Sequence, residues 1–443
     1  MNIVMMTNTY KPIVGGLEKS VEIFSDEYRK RGHKVLIVAP RFENTSGKEK
    51  DVFRVPAIQN FNHTDFSVEL PMSIKLNSTL ERFKPDIIHT HHPFLIGDTA
   101  LRASARFNVP IVFTNHTLYE ENTHYIPGDS PAMKTFVAKL AKGYADLCDR
   151  VIAPSQSVAD LLIKRGVEVP VEVLPTGIYL DQFKTGDGKT FRRFFDIPKD
   201  AFVVGSIGRV APEKNIPFLS KAVLAFMKKN RKAYFVVVGS GVSLEDIKAS
   251  FEQNKLEGRL VCTGPLKGRQ LISAYAALDV FAFASHSETQ GLVLAEAMAA
   301  GTPVVAVDAP GVREVLKDGV NGRMLKRDHI RDFAACLQWL SGQSPQIRSA
   351  LARNAVKTAK DFSVSACVTR ALKLYRSMIQ EHHTQRDLEE NSWKKAMRMI
   401  RTQTEIMGNA SSATAAAVIH GPKTTVKKVV KRIKKSVADL VLK

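Results

Sequence analysis

A chain of 443 residues, 44% apolar and 24% charged, has the composition of a globular protein and the length for two domains with extensions. Its net charge of +20 and pI near 9.7 imply an acidic partner: a phosphorylated ligand, an anionic membrane or nucleic acid. Four widely spaced cysteines, Cys148, Cys262, Cys336 and Cys367, form no CxxC, which argues against a disulfide framework or zinc site and fits a reducing compartment.

The first residues, MNIVMMTNTYKP, lack a basic region before their apolar run and read as a strand rather than a signal peptide. Gly15 and Gly16 then open a helix whose apolar positions are Val21, Phe24 and Tyr28, and Gly32 ends it. Strand-like runs follow at VLIVAP (35–40), VFRVP, DIIHTHH (86–92), PIVFTNH (110–116), RVIAPS (150–155) and VEVLP (171–175). Helical patterns at 72–83, 98–107, 132–148 and 157–165 separate most of them. Strands and helices alternating at this spacing predict a parallel sheet covered on both faces, with ligands at the strands' carboxyl ends.

PTGIYLDQFKTGDGKT (175–190) is rich in Gly, Asp and Thr and reads as a linker. The α/β pattern restarts at AFVVGSIGRV and continues through AYFVVVGSG (233–241), RLVCTG (259–264), VFAFAS (280–285) and PVVAVD (303–308). Two tandem sheets of this kind would face a shared cleft. Residues 330–380 look helical. Beyond 381, EHHTQRDLEENSWKKAMRMIRTQTEIM can form a helix and GNASSATAAAVIHGPKTT reads as a spacer. The chain ends on VKKVVKRIKKSVADLVLK, with Val426, Val429, Val430, Ile433, Val437, Leu440 and Val441 at helical spacing and lysines and Arg432 opposite. A basic amphipathic helix over 426–443 suits an anionic membrane surface, or alternatively a protein partner. No run of 18 apolar residues marks a transmembrane helix.

The stretch Ser287–Pro303 concentrates the chemistry. Glu288 and Glu296 stand eight apart, with Gly291 where loop turns into helix. Backbone N–H groups at such a helix start suit an anion, and two carboxylates can bind sugar or ribose hydroxyls. Two solvated glutamates at a helix start are the plain alternative. In GRVAPEKN, Arg209 and Lys214 flank a turn made by Pro212 and can hold a pyrophosphate, one by a guanidinium fork and one as a point charge. His116 ends a strand, where it can bond a sugar hydroxyl or stabilise charge at the reacting carbon. His89, His91 and His92 end the preceding strand and are read as hydrogen-bonding or packing residues, because no carboxylate or cysteine completes a metal set. Gly15–Gly16 allows close backbone approach to a ligand but is not GxGxxG, so no nicotinamide fingerprint is present.

GGLEKS, TNHT, GRVAPEKN, the E-x7-E of Glu288 and Glu296, and GTPVVAVDAPGVREVLKDGVNGRML together resemble glycosyltransferase family 4, over about residues 1–380. That resemblance implies a GT-B fold: two Rossmann-like domains, 1–180 on the acceptor side and 181–380 on the donor side, with a helical tail over 381–443. It implies a retaining hexosyltransferase using a nucleotide diphosphate sugar. Arg209 and Lys214 would bind the pyrophosphate, Glu288 the sugar and Glu296 the ribose. The backbone at Gly291 and Leu292 would add to that grip, and Thr263 and Gly264 would meet the base. His116 would sit by the sugar, and Gly15–Gly16 by the phosphates or acceptor. His116, Glu288, Arg209 and Lys214 would carry the catalysis, with no metal required. HTHHPFLIGDTAL, HTLYEENTHYIP and SETQGLVLAEAM are similar to the diacylglycerol glucosyltransferase branch, since Thr289-Gln290-Gly291 stands where Gly-Phe-Gly is common.

The expectation is therefore transfer of a hexose, glucose first (from UDP-glucose), to a membrane lipid such as diacylglycerol by a cytoplasmic protein peripheral to the inner membrane face. The alternative is a soluble acceptor. Nucleic acid is not expected as a specific partner, because no helix-turn-helix, zinc or single-strand-binding signature accompanies the charge.

Overall fold

The structure, a computed structural model, describes residues 1–13, 15–42, 45, 49–58, 68–69, 74–120, 130–286, 288–385 and 392–420. The basic stretch 426–443 lies outside the described residues, as do Ser287 and much of HTLYEENTHYIP. Contacts divide the chain into two units, Met1–Leu174 with Val368–Lys443, and Pro175–Cys367. The sequence reading set its boundaries at 180/181 and 380/381.

In the first unit the strands are β1 (Asn2–Met6), β2 (Lys34–Pro40), β3 (Val52–Val55), the short antiparallel pair β4 (Ala57–Ile58) and β5 (Val68–Glu69), β6 (Ile87–Thr90), β7 (Ile111–Thr114), β8 (Arg150–Ala153) and β9 (Val171–Val173). Seven of them form one sheet in the order β3-β2-β1-β6-β7-β8-β9, every neighbour pair parallel. The helices are α1 (Gly16–Lys30), α2 (Ile74–Phe83), α3 (Ile96–Phe107), α4 (Pro131–Asp146) and α5 (Gln156–Lys164). Val21, Phe24 and Tyr28 of α1 are buried as their spacing predicts. Local signals set the helix starts: Ser130 caps α4 by accepting from Met133 N at 3.2 Å, with Pro131 at the first helical position. Ser155 caps α5 in the same way.

The second unit begins with two short helices, α6 (Leu180–Phe183) and α7 (Gly188–Phe194), so the expected linker is folded structure. Asp187 caps α7 by accepting from Thr190 N at 2.9 Å, and Phe191 is buried. The Gly-Asp-Thr composition that reads as linker is here a helix start. The sheet strands are β10 (Phe202–Ile207), β11 (Ala233–Val238), β12 (Leu260–Gly264), β13 (Val280–Phe283), β14 (Val304–Val307) and β15 (Gly322–Leu325), in the order β12-β11-β10-β13-β14-β15 and all parallel. The intervening helices are α8 (Ile216–Lys229), α9 (Leu244–Gln253), α10 (Gly268–Ala276), α11 (Leu292–Ala299), α12 (Pro310–Val315), α13 (Ile330–Ser341) and α14 (Pro345–Lys360). Side chains alternate between two cores. Val203, Val236, Phe281 and Val304 join one, whereas Val204, Val237, Ala282 and Val305 join the other. Burial on both faces is why these strands read as continuous apolar runs.

The chain ends in α15 (Val364–Gln385) and α16 (Ser392–His420). The expected spacer GNASSATAAAVIH is the second half of α16. Alanine is the best helix former, and the helix has a partner surface on α3 and α4. Arg398 Nε donates to Ala105 O at 2.6 Å, Arg102 Nε to Gln403 Oε1 at 3.0 Å, and Asn409 Nδ2 to Leu140 O at 3.0 Å. Gly143 of α4 lies against the Asn409 side chain, with no room for a Cβ. No helix among the described residues is long and apolar enough to cross a membrane.

Candidate active site

The residues singled out by sequence fall into two sets, one per unit. In the second unit, Gly291 stands at φ +77 as the N-cap of α11, and a Cβ there would meet Gly311 O. Gly311 is equally constrained, since its own Cβ would run into Gln290 N. Two glycines back to back thus shape the loop before α11, and Gly311 N donates to Glu288 O at 2.8 Å. Glu288 turns back over the start of α11 instead of projecting outward. Its Oε1 accepts from Gly291 N at 2.9 Å and Gln290 N at 3.3 Å. Its Oε2 stands 3.5 Å from Lys214 Nζ. The Gly291 N–H expected to be open to phosphate is therefore engaged by a carboxylate, which a helix N-terminus favours. Leu292 is the first residue of α11.

Lys214 and Arg209 come from the turn after β10. Arg209 is mostly exposed, with Nη1 3.5 Å from Glu213 Oε1. The turn is tied to its neighbours. Ser285 Oγ donates to Glu213 O at 3.3 Å, and Asn215 Nδ2 donates to Asp328 Oδ2 at 2.6 Å and reaches His286 Nε2 at 3.2 Å. The sequence reading gives Asn215, the last residue of GRVAPEKN, no role, and does not single out Ser285, His286 or Asp328. Only the adjacency of Asn215 to Lys214 and of Ser285 and His286 to Glu288 hinted at them. Gln290 enters the sequence reading only through Thr289-Gln290-Gly291, with no role of its own. It is buried, and its Nε2 donates to Thr176 O at 2.6 Å, anchoring the loop that carries Glu288.

The structure brings Lys214, Glu288 and Gly291 into contact but gives Glu296 a different environment. Glu296 is 3% exposed, and its Oε2 accepts from Tyr275 Oη at 2.7 Å. Burial, then the Glu296 carboxylate, pushes the Tyr275 hydroxyl far above its ordinary pKa, so it stays a donor. Thr263 and Gly264 end β12, where the Gly264 carbonyl accepts from Thr263 Oγ1 at 2.8 Å and Gly239 N at 3.0 Å.

In the first unit, Gly15 is the extended N-cap of α1 and Gly16 its first residue. A Cβ on Gly15 would meet the folded-back Glu18 carboxylate, whereas one on Gly16 would meet nothing. His116 lies two residues beyond β7, and its Nε2 is 2.9 Å from His91 Nδ1. His89 bridges Tyr375 Oη and Thr114 Oγ1, each at 2.6 Å, and Asn8 N donates to His92 Nδ1 at 3.1 Å. Burial pushes His89, His92 and His116 down to about 3 and His91 well below its ordinary value, so all four imidazoles are neutral near pH 7.

The chain matches the sequence profile of Glycosyltransferase Family 4 over residues 14–182 and that of Glycosyl transferases group 1 over residues 187–358. An alpha-monoglucosyldiacylglycerol synthase of Streptococcus pneumoniae is 31% identical over 335 residues, 74% of this chain and 76% of the relative. The chain belongs to glycosyltransferase family 4. A second alpha-monoglucosyldiacylglycerol synthase, from Acholeplasma laidlawii, is 25% identical over 86% of this glycosyltransferase and 98% of its own length. A D-inositol 3-phosphate glycosyltransferase of Saccharomonospora viridis is 31% identical over 66% of this chain and 70% of the relative. Among solved structures, sucrose-phosphate synthase of Thermosynechococcus elongatus superposes with a TM-score of 0.71 at 19% identity, covering 86% of this chain and 99% of that one. The fold is GT-B, with a Rossmann-like parallel sheet in each unit, and the protein is a hexosyl-transferring enzyme.

Proposed function

We propose that this glycosyltransferase moves glucose from a nucleotide diphosphate donor to diacylglycerol at a membrane surface, keeping the α configuration. The likeness to two alpha-monoglucosyldiacylglycerol synthases carries this reading. In it the second unit holds the donor. Arg209 and Lys214 take the pyrophosphate, Glu288 a sugar hydroxyl and Glu296 the ribose. The backbone about Gly291 and Leu292 supports the phosphate side, and that about Thr263 and Gly264 receives the base. The first unit supplies His116 beside the sugar and Gly15–Gly16 near the phosphates or acceptor. No side chain is placed as an assured nucleophile, so departure and attack occur on one face of an oxocarbenium-like carbon. The leaving phosphate oxygen takes the acceptor hydroxyl's proton. The two cations offset the charge that develops on the pyrophosphate, so no divalent metal is needed and EDTA should leave the rate unchanged.

Vesicles containing diacylglycerol and an anionic lipid, supplied with UDP-glucose, test the reading. Nucleotide diphosphate release together with a new monoglucosyl lipid supports it. Release that depends on a water-soluble acceptor instead favours the second reading, which the inositol phosphate relative motivates. Membrane attachment is tested by sedimenting the full chain and a chain ending at His420 with these vesicles. A cut at Gln380 would strip α16 from α3 and α4 and confuse unfolding with loss of attachment. The peripheral reading fails if neither form sediments at low salt, where about 1 kcal/mol per surface cation is at its fullest.

A further inference from the structure

We propose that His91 is a positioning residue for His116, donating its Nδ1–H to His116 Nε2 and so holding the His116 proton on Nδ1. The inference rests on the reading of His116 as the residue beside the donor sugar. It deepens that reading by naming which ring nitrogen of His116 carries the proton.

Tyr28 Oη donates to Tyr375 Oη at 3.1 Å, so the Tyr375 proton goes to His89 Nδ1, and the His89 proton on Nε2 goes to Thr114 Oγ1. His89 is thereby fixed in one tautomer and orientation. His91 lies against it with ring centroids 4.0 Å apart and planes at 36°, and His116 follows at 5.2 Å with its ring at 26° to that of His91. His91 is fully buried, and its Nε2 finds no partner among the described residues.

A neutral imidazole carries one N–H and one lone pair, so the 2.9 Å contact between His91 Nδ1 and His116 Nε2 can run in either direction. If His116 donated, His91 would bury an N–H with no acceptor. If His91 donates, the orphan is only a lone pair, and buried donors without partners are the rarer case. The second arrangement therefore holds. An apolar ring of the same size could stack on His89 without burying an unpartnered nitrogen. It could not donate to His116, and that is what a histidine at position 91 supplies.

The test uses the full chain labelled with 15N-histidine. Long-range 1H–15N correlation reads the tautomer of His116, assigned by the signal lost in His116→Ala. The expected wild-type spectrum shows the proton on Nδ1. His91→Phe should mix the tautomers and lower kcat for glucosyl transfer by roughly tenfold to a hundredfold, as removing a functional histidine's orienting partner does at metal sites, with KM for the donor unchanged. His91→Asn, whose amide N–H takes the place of Nδ1–H, should restore both the tautomer and most of kcat. A wild-type proton on Nε2 overturns the proposal, and so does a folded His91→Phe with unchanged tautomer and kcat. Should His91→Phe fail to fold, the wild-type spectrum and His91→Asn decide, and loss of the tautomer in His91→Asn counts against the proposal. Undiminished transfer by His116→Ala would instead sink the role given to His116 in the reaction, leaving the tautomer result standing.

Discussion

Lys214 and Glu288 face each other at 3.5 Å, and each has a second task that its replacement would expose. Lys214→Ala removes the cation that faces Glu288 and that the proposed reaction assigns to the leaving pyrophosphate. Glu288→Gln keeps an oxygen to cap α11 but discards the charge. Each should lower kcat/KM for transfer by on the order of 3 kcal/mol, roughly a hundredfold, the scale for losing a preorganised charge contact. Thermal unfolding of Glu288→Gln should match that of the parent, because the Gly291 N–H keeps an acceptor. Full turnover in either variant would remove these residues from the site. At this scale the sequence pointed to Lys214 and Glu288 because each sits inside a short motif, and the structure places the two side chains 3.5 Å apart. The sequence was silent where the partner comes from elsewhere in the chain. Tyr275, which fixes Glu296, stands 21 residues before it, and Asp328, which fixes Asn215, stands 113 residues after it. No periodicity or spacing announces such pairs. The orientation of Glu288 was also out of reach, because a carboxylate before a helix can project or fold back, and packing by Gly311 decides which.

Gly311 lies in the first turn of α12, yet it acts on the loop that starts α11. Its missing Cβ leaves the space occupied by Gln290 N and Gly291 N. Gly311→Ala should push that loop away, detach the Glu288 carbonyl from Gly311 N, and weaken nucleotide binding in calorimetry. The strands of the second unit should keep their hydrogen-exchange protection, since the strain stays local. Unchanged donor affinity would show that the loop geometry does not matter. On α4, Gly143→Leu would drive a side chain into Asn409 and lift α16 from its seat. The expected result is a lower Tm and faster proteolysis within 392–420, and a helix as protected as in the parent would refute the docking account. The strands and amphipathic helices were legible because their apolar periods follow burial on one or two faces. Others were not. α7 hides in a Gly-Asp-Thr stretch because those residues serve as its cap. The second half of α16 hides in a Ser-Ala stretch because small residues suit close helix packing as well as they suit a spacer. β15 hides because GRML has four residues, begins with glycine and shows no apolar run, and only its pairing with β14 defines it.

For the whole molecule, charge and acid sensitivity come from different places. The net charge of +20, concentrated in part in the last residues of the chain, gives a salt-dependent attraction to anionic surfaces, whereas the response to acid should begin with the first unit's buried and half-buried histidines. His89, His92 and His116 are held down to about 3 in the folded chain, and His91 well below its ordinary value, all mainly by burial. In the unfolded chain each returns to about 6.5. The folded values are depressed, so their contribution to stability is complete above that value. As pH falls below about 6.5 the unfolded chain takes up protons that the folded chain refuses, and stability drains until the folded values are reached. Each histidine then costs about 1.4 kcal/mol per pH unit, and four together outweigh most single interactions in the fold. Hydrogen exchange of β1, β6 and β7 amides, measured at pH 7.5 and pH 5.5 and corrected for intrinsic rates, should show a marked fall in protection at the lower pH. His92→Asn keeps an acceptor for Asn8 N–H while removing one titrating group. It should lessen the pH dependence by about one proton and leave the neutral-pH value close to that of the parent. Equal protection at both pH values in the parent would mean that these imidazoles are not held neutral by the core. The stacked arrangement of His89, His91 and His116 would then have to be abandoned, because charged rings could not remain packed against each other.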